Sequence, residues 1–178
     1  MDVTAACDFF VVPTLTFNLL YVFVVLSHDR RRILHVNVTA NPTAEWTGRQ
    51  LLEAFPYDSK PKYLLRDNDK IYGEEFTDKV EVLGIEEVKT APKSPWQNPY
   101  CERVIGSFRR ECLDHIIPLN EAHLRRLLSE YLVYYHESRT HLSLGGNAPV
   151  PRKAATVGEV ISTPVLGGLH HRYSRSAA

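Results

Sequence analysis

At 178 residues, 44% hydrophobic and 24% charged, the chain has the size and composition of one globular domain with a substantial core and is too short for two ordinary ones. Twenty-one basic and 21 acidic residues cancel, so bulk charge singles out no nucleic-acid partner. Three cysteines, Cys7, Cys101 and Cys112, without a CxxC pair exclude a disulfide framework and a structural zinc site, and read as free thiols in a reducing cytoplasm.

The first third reads as a strand meander: "TAACDFFVV", a Pro-Thr turn, "LLYVFVVL", the charged turn "SHDRRR", then "ILHVNV". Residues 9–26 form an uncharged run of 18, the length of a membrane-span candidate. Pro13, Thr14, Thr16 and Asn18 in its middle, with abundant Val and Phe, favour two buried strands joined by a turn, so no membrane partner is expected. No basic leader or cleavage site suggests a signal peptide. "NPTAEWTGRQLLEAF" predicts a helix with Pro42 near its first turn and Trp46, Leu51, Leu52 and Phe55 as its apolar face. "KYLLRD", "EEFTDKVEVLG" and "IEEVKT" follow as strand, helix and strand, an alternation that implies parallel pairing after the meander. Two helices come next: one with Val104, Ile105, Phe108 and Cys112 inward, and one from an Asn120 cap to about His136, with Leu124, Leu127, Leu128, Tyr131, Leu132 and Tyr135 on one face. Beyond "SRTHLSLGGNAPVPRK", which ends at residue 153, the Pro-, Gly- and Ser-rich chain predicts a tail that packs loosely or waits for a partner, and no internal repeat is visible.

Charge is unevenly distributed. Residues 67–87 hold eight acids against two lysines, whereas residues 139–178 hold five bases against Glu159, a pattern suited to an acidic site beside a basic surface and equally to solvated faces. Three acids stand out: Asp8 inside an apolar strand, Asp67 after "YLLR" at the strand end where open α/β sheets present their sites, and Glu102 in the first turns of a helix. A chain with 21 acids contains many such triples, and Asp8 is set apart because burying it costs several kcal/mol unless it is paired or cation-bound. Convergent carboxylates suit Mg²⁺ or Mn²⁺, and two such ions can hold the attacking and leaving oxygens of a phosphodiester displacement.

The segments "CDFF", "LLRDND", "GEEF", "SPWQNPYCERVIGSFRRECLDH", "YYHESRTHLSLGGNAPVPR" and "GGLHHRY" resemble the integrase catalytic core of bacterial insertion-sequence transposases, within the wider group that includes retroviral integrases. The resemblance covers nearly the whole chain and is most specific over residues 91–151. It implies an α/β, RNase H-like fold with a mixed five-stranded sheet flanked by helices, a core over residues 1–151 and a basic C-terminal tail over 152–178. It also implies a D-D-E triad at Asp8, Asp67 and Glu102, the last two 35 positions apart, holding two Mg²⁺ or Mn²⁺ ions, with Asp69 a solvated neighbour. Asp8 would bridge both ions, and the activity would be DNA strand cleavage followed by strand transfer in DNA integration and transposition. Lys93–Pro99 resembles the active-site loop of these enzymes, so Lys93, Gln97, Asn98, Arg103, Arg109 and Arg110 are the expected DNA contacts. Glu102, Gly106 and Arg109 share a helical face, on which Gly106 would admit a DNA strand and Arg109 would hold a phosphate. Expected partners are DNA, as element ends and as target, and further copies of the chain, in a bacterial cytoplasm. Such transposases carry an N-terminal helix-turn-helix region; with seven residues before Asp8, the chain reads as an isolated catalytic fragment or the product of a broken gene.

The remaining candidates carry blander readings. His115 and His123 pack or cap near the helix junction, and His170-His171 suits a basic tail contact with DNA better than a metal. Asp29–Arg32 is a solvated hairpin tip, Trp96 either wedges against a base or anchors its loop, and no basic partner marks Cys7 or Cys101 as a nucleophile. Two rival functions remain: a non-catalytic remnant that binds DNA or dimerises, and an RNase H-like nuclease of RNA–DNA hybrids.

Overall fold

Val, Phe and Leu alternate or run together through the first forty residues, and β-branched and aromatic side chains pack well on a pleated surface. The computed structural model, which describes residues 3–29, 32–56, 59–91, 94–153 and 155–176, forms three antiparallel strands there: β1 (Thr4–Pro13), β2 (Leu19–Ser27) and β3 (Ile33–Thr39). The uncharged run is thus spent on two paired strands. Among the described residues no helix is long and apolar enough to cross a membrane.

Helix α1 (Ala44–Ala54) is capped by Thr43, whose side chain accepts from the Trp46 amide, with Pro42 just outside. Leu51 and Phe55 are buried and Trp46 packs against the same layer as predicted, together with Thr47, Gly48, Gln50 and Ala54, whereas Leu52 is exposed. Two contacts widen this face beyond the expected one. Gly48 lets α1 press against α2 (Glu74–Leu83), where a Cβ would lie 3.1 Å from the Glu75 carbonyl, and the Gln50 amide oxygen bonds Asn37 at 2.5 Å. Strands β4 (Tyr63–Arg66) and β5 (Glu86–Lys89) pair in parallel, and β4 pairs in parallel with β1, giving the sheet order β3-β2-β1-β4-β5.

Strand alternation gives β1 two apolar faces. Ala5 and Cys7 join α1 and α2 in one core layer; Ala6, Phe10 and Val12 join α3 (Pro99–Phe108) and α4 (Glu121–Glu137) in the other. On the second side Val104, Ile105, Phe108, Cys112, Leu124, Leu127, Leu128, Tyr131 and Tyr135 are buried as their spacing predicted, with Leu132 only partly so. Asn120 caps α4 by accepting from the His123 amide. All three cysteines are free and buried.

The C-terminal segment departs from the expected loose tail. Strands β6 (Val160–Val165) and β7 (His170–Arg175) form an antiparallel hairpin. Gly167 and Gly168, both at positive φ, turn the chain so that Leu166 enters the α3/α4 core layer. Beyond α3 a π-helical turn, Arg109–Leu113, carries Glu111, which receives Arg139 through both of its carboxylate oxygens, at 2.6 and 2.7 Å, and the Tyr131 hydroxyl at 2.8 Å. The His170 ring stacks on Tyr134 with centroids 4.3 Å apart and donates through Nε2 to the Glu111 carbonyl at 2.6 Å, so the hairpin is tied to both helices.

Burial pushes the Glu111 carboxyl up, but the bonds from Arg139 and Tyr131 outweigh it and leave the group below its ordinary value. A depressed pKa adds stability above the unfolded value and loses it as pH falls through the folded one. Glu111→Gln should therefore cost about 1.5–3 kcal/mol in urea unfolding at pH 7. Its difference from the parent should shrink as both are acidified below the carboxylate range.

Candidate active site

The β1–β4 register pairs Thr4 with Tyr63, Ala5 with Leu64 and Ala6 with Leu65; continued by two residues, it sets Asp8 beside Asp67. Alternation puts Asp8 on the same face as Ala6 and Phe10, and Asp67 on the same face as Leu65, the side covered by α3. Pro99 opens α3 after the Asn98 cap, which leaves Glu102 in the first turn, where the helix dipole favours an anion. Asp8, Asp67, Asp69, Asn98, Glu102 and Arg109 all line one open cleft of about 660 Å³.

Crowding shows in the electrostatics. Burial, with the charges of Asp67, Glu102 and Asp69, pushes Asp8 up to about 7 against the pull of the Phe9 amide, which donates to its Oδ1 at 2.7 Å. Burial and Asp69 also raise Asp67. Asp69 is exposed, its amide donates to Asp67 Oδ1 at 3.3 Å and its own Oδ1 accepts from the Ile71 amide at 3.0 Å, so it is both a solvated neighbour and a fourth negative charge at the rim. Burial pushes the Cys7 and Cys101 thiols up, away from the thiolate a nucleophile needs.

Arg66 was not singled out from the sequence. Its guanidinium, 2% exposed, pairs with Glu87 at 2.5 Å, lies 4.8 Å from the Tyr72 ring centroid and donates to the Asp67 carbonyl at 2.8 Å. It anchors the backbone from which Asp67 projects and lowers that carboxyl against the other influences. The available signal was an arginine at an inward position of an apolar strand.

The predicted DNA-contact residues fall in different places. Arg109 lines the cleft, 5.9 Å from the Phe10 ring centroid, with Nη2 donating to the Val11 carbonyl at 3.5 Å. Arg103 and Arg110 are exposed outside it. The Arg110 guanidinium lies over Gly106, where an added Cβ would meet Nη1 at 2.8 Å. The flexible end of exposed Arg110, one helical turn later, thus lies across the space expected to admit a DNA strand at Gly106. Gln97 accepts from the Ala91 amide at 2.7 Å and closes the loop. Asn98 is buried, its Nδ2 donating to the Cys7 carbonyl at 3.4 Å and tying the loop to β1. Trp96 is 71% exposed and anchors nothing in the core. Lys93 lies outside the described residues, as do Arg30 and Arg31 of the hairpin tip. His115 and His123 bond the Arg110 carbonyl and the Leu119 amide, as capping groups do.

The donor set fits a hard divalent cation: oxygen ligands only, with a half-buried carboxyl destabilised by its neighbours' charge, and Asn98 Oδ1, buried at the cleft, without a donor among the described residues. Among the described residues no three His, Cys, Asp or Glu side chains are closed around a common point.

Because the folded pKa of Asp8 lies above the ordinary 3.8, its contribution to stability is fully present below that value and is lost as pH rises through about 7. In EDTA, the melting temperature should fall from pH 5 to pH 8, a loss of at most roughly 2.5 kcal/mol. Asp8→Asn should flatten that slope and melt higher than the parent at pH 8; an unchanged slope would show that the Asp8 carboxyl is not raised in the folded chain.

Comparison with known proteins places this geometry. The family described as "Integrase core domain" matches residues 83–149. An insertion element IS476 protein of 39.2 kDa from Xanthomonas euvesicatoria is 26% identical over an alignment of 155 residues that covers 78% of this chain and 44% of that protein, so the chain spans less than half the length of this relative. The HTLV-2 integrase catalytic core domain, solved in complex with magnesium in a trimeric form, superposes with a TM-score of 0.65 at 14% identity, over 83% of this chain and 93% of that one. The catalytic domain of the Mos1 mariner transposase gives 0.63 at 14%, over 74% and 70%. At such identities the structural likeness speaks for the fold, which is RNase H-like. Residues 83–149 thus resemble an integrase core domain, and the chain is related in sequence to an insertion-element protein and in fold to the catalytic cores of a retroviral integrase and a transposase.

Proposed function

We propose that the chain is the catalytic core of a DDE polynucleotidyl transferase that cleaves DNA strands and joins them to target DNA in transposition. The observation that carries this reading is the arrival of Asp8, Asp67 and Glu102, from β1, the end of β4 and α3, at one cleft of an integrase core. Asp8, Asp67 and Glu102 would hold Mg²⁺ or Mn²⁺, which supplies Lewis-acid activation of the phosphodiester and a nucleophile at neutral pH; the magnesium complex of the HTLV-2 core supports that choice.

The chain's own groups position the strand. Arg109, at the cleft wall, binds a phosphate beside the scissile one, and Arg103 and Arg110 on the outer face of the same helix meet the backbone further along. Gln97 and Asn98 shape the loop that borders the cleft, and Lys93 adds charge to it. Exposed Trp96 offers a ring against which an unpaired base can stack. Arg66 keeps Asp67 in place. We extend to this chain a core over residues 1–151 with a basic segment over 152–178, assembly with further copies, and a bacterial cytoplasm. The trimeric HTLV-2 form and the Xanthomonas relative support the last two. Recognition of particular DNA ends is assigned to a separate helix-turn-helix region, as the family resemblance implies.

The alternative reading is a remnant that keeps the fold and binds DNA without cutting it. Calorimetric titration with Mn²⁺ and nicking of supercoiled plasmid separate the two. The parent should bind Mn²⁺ and nick, and Glu102→Gln should lose at least about a hundredfold in nicking with its melting temperature kept. Metal binding without nicking selects the remnant, and preferential cleavage of RNA–DNA hybrids selects a nuclease of the RNase H type. Equal nicking by Glu102→Gln removes the triad assignment.

A further inference from the structure

The β6–β7 hairpin carries a second concave surface, which shares no lining residue with the carboxylate cleft. It is a groove of about 380 Å³ lined by Arg152, Lys153, Val160, Arg172, Tyr173 and Arg175, with no acid in its wall. Residues 152–178 contain a single carboxylate side chain, Glu159.

Specific bonds build the groove. Arg152 Nη1 donates to the Tyr173 carbonyl at 3.0 Å, strapping the segment that precedes β6 along β7. Arg175 Nη1 donates to the Gly158 carbonyl at 2.7 Å and holds the turn into β6. Each of these contacts occupies one N–H of a guanidinium that has five. Arg172 is paired with Glu137 at 2.9 Å, while Arg152, Lys153 and Arg175 have no carboxylate partner among the described residues. Tyr173 is 57% exposed. A two-stranded ribbon is marginal on its own, and this one stands because Leu166 and His170 root it in the α3/α4 layer. Four cations drawn together on it repel one another, and a polyanion relieves that repulsion.

We propose that this groove binds the phosphodiester backbone of a nucleic acid strand, as a contact surface separate from the carboxylate cleft. Charge complementarity selects the occupant. Guanidinium forks match phosphate oxygens, and a half-exposed tyrosine between them offers a face to a sugar or base, which an acidic peptide would not use. The choice of partner rests on the nucleic-acid reading above; the groove's shape and charge do not.

The test uses the full chain carrying Glu102→Gln, in EDTA, so that no cleavage enters. Fluorescence anisotropy would follow binding of a duplex and of a single strand, each of about 30 nucleotides, across a salt series. The Lys153→Ala/Arg175→Ala double variant should weaken duplex binding about tenfold near 0.1 M salt and reduce the slope of log K against log salt by about 2, or about 1.4 for the single strand. Lys153→Glu alone, at a side chain that makes no hydrogen bond or ion pair among the described residues, should weaken binding with its melting temperature kept, which separates lost contact from lost folding. An unchanged salt slope overturns the proposal, and so does polyglutamate that competes as well as DNA of equal charge. Because metal and nicking play no part, failure of the groove leaves the cleavage reading standing, and failure of cleavage leaves this measurement standing.

Discussion

Two carboxylates on neighbouring parallel strands must share the carboxyl end of one sheet, and the rest of the site answers that constraint. Hydrogen bonding between β1 and β4 sets the register that brings Asp8 and Asp67 alongside each other, and the pleat turns both toward α3. Nothing in a β-ladder compensates their repulsion. The chain answers beneath the site with Arg66, buried against Tyr72 and Phe76, whose guanidinium bonds the Asp67 carbonyl while its charge is balanced by Glu87. Across the cleft, Arg109 supplies the other positive charge.

The same helix that carries Glu102 continues into the π-helical turn, and this links the cleft to the far side of the molecule. Arg109 opens that turn, and its carbonyl accepts the Asp114 amide at 2.9 Å. Such turns are tolerated where other groups satisfy the displaced backbone. Here Arg139, Tyr131 and His170 meet at Glu111 and hold the turn from α4 and from the hairpin. A segment whose composition suggested a loose tail is therefore part of the frame that fixes where Arg109 emerges.

Much of the site was legible because it rests on local rules. The Pro99 and Asn98 punctuation placed Glu102 in a first turn, period-two apolar runs separated β1 from β2, and an aspartate among apolar residues marked position 8. Other features follow from contacts distant in sequence. Asn98 is a buried tie to the Cys7 carbonyl, 91 positions away, and the notch at Gly106 is overlain because the helix winds Arg110 across it.

By itself the amino-acid order determined the elements as far as α4, their parallel or antiparallel connection and the residue types suited to a hard cation, since propensity, capping and periodicity act over a few neighbouring residues. Tertiary structure alone decided which acids share a cleft, that Arg66 lies beneath them, and that the C-terminal hairpin packs on α3 and α4. Each of these depends on strand register and on side chains meeting across elements, and no local pattern encodes such distances.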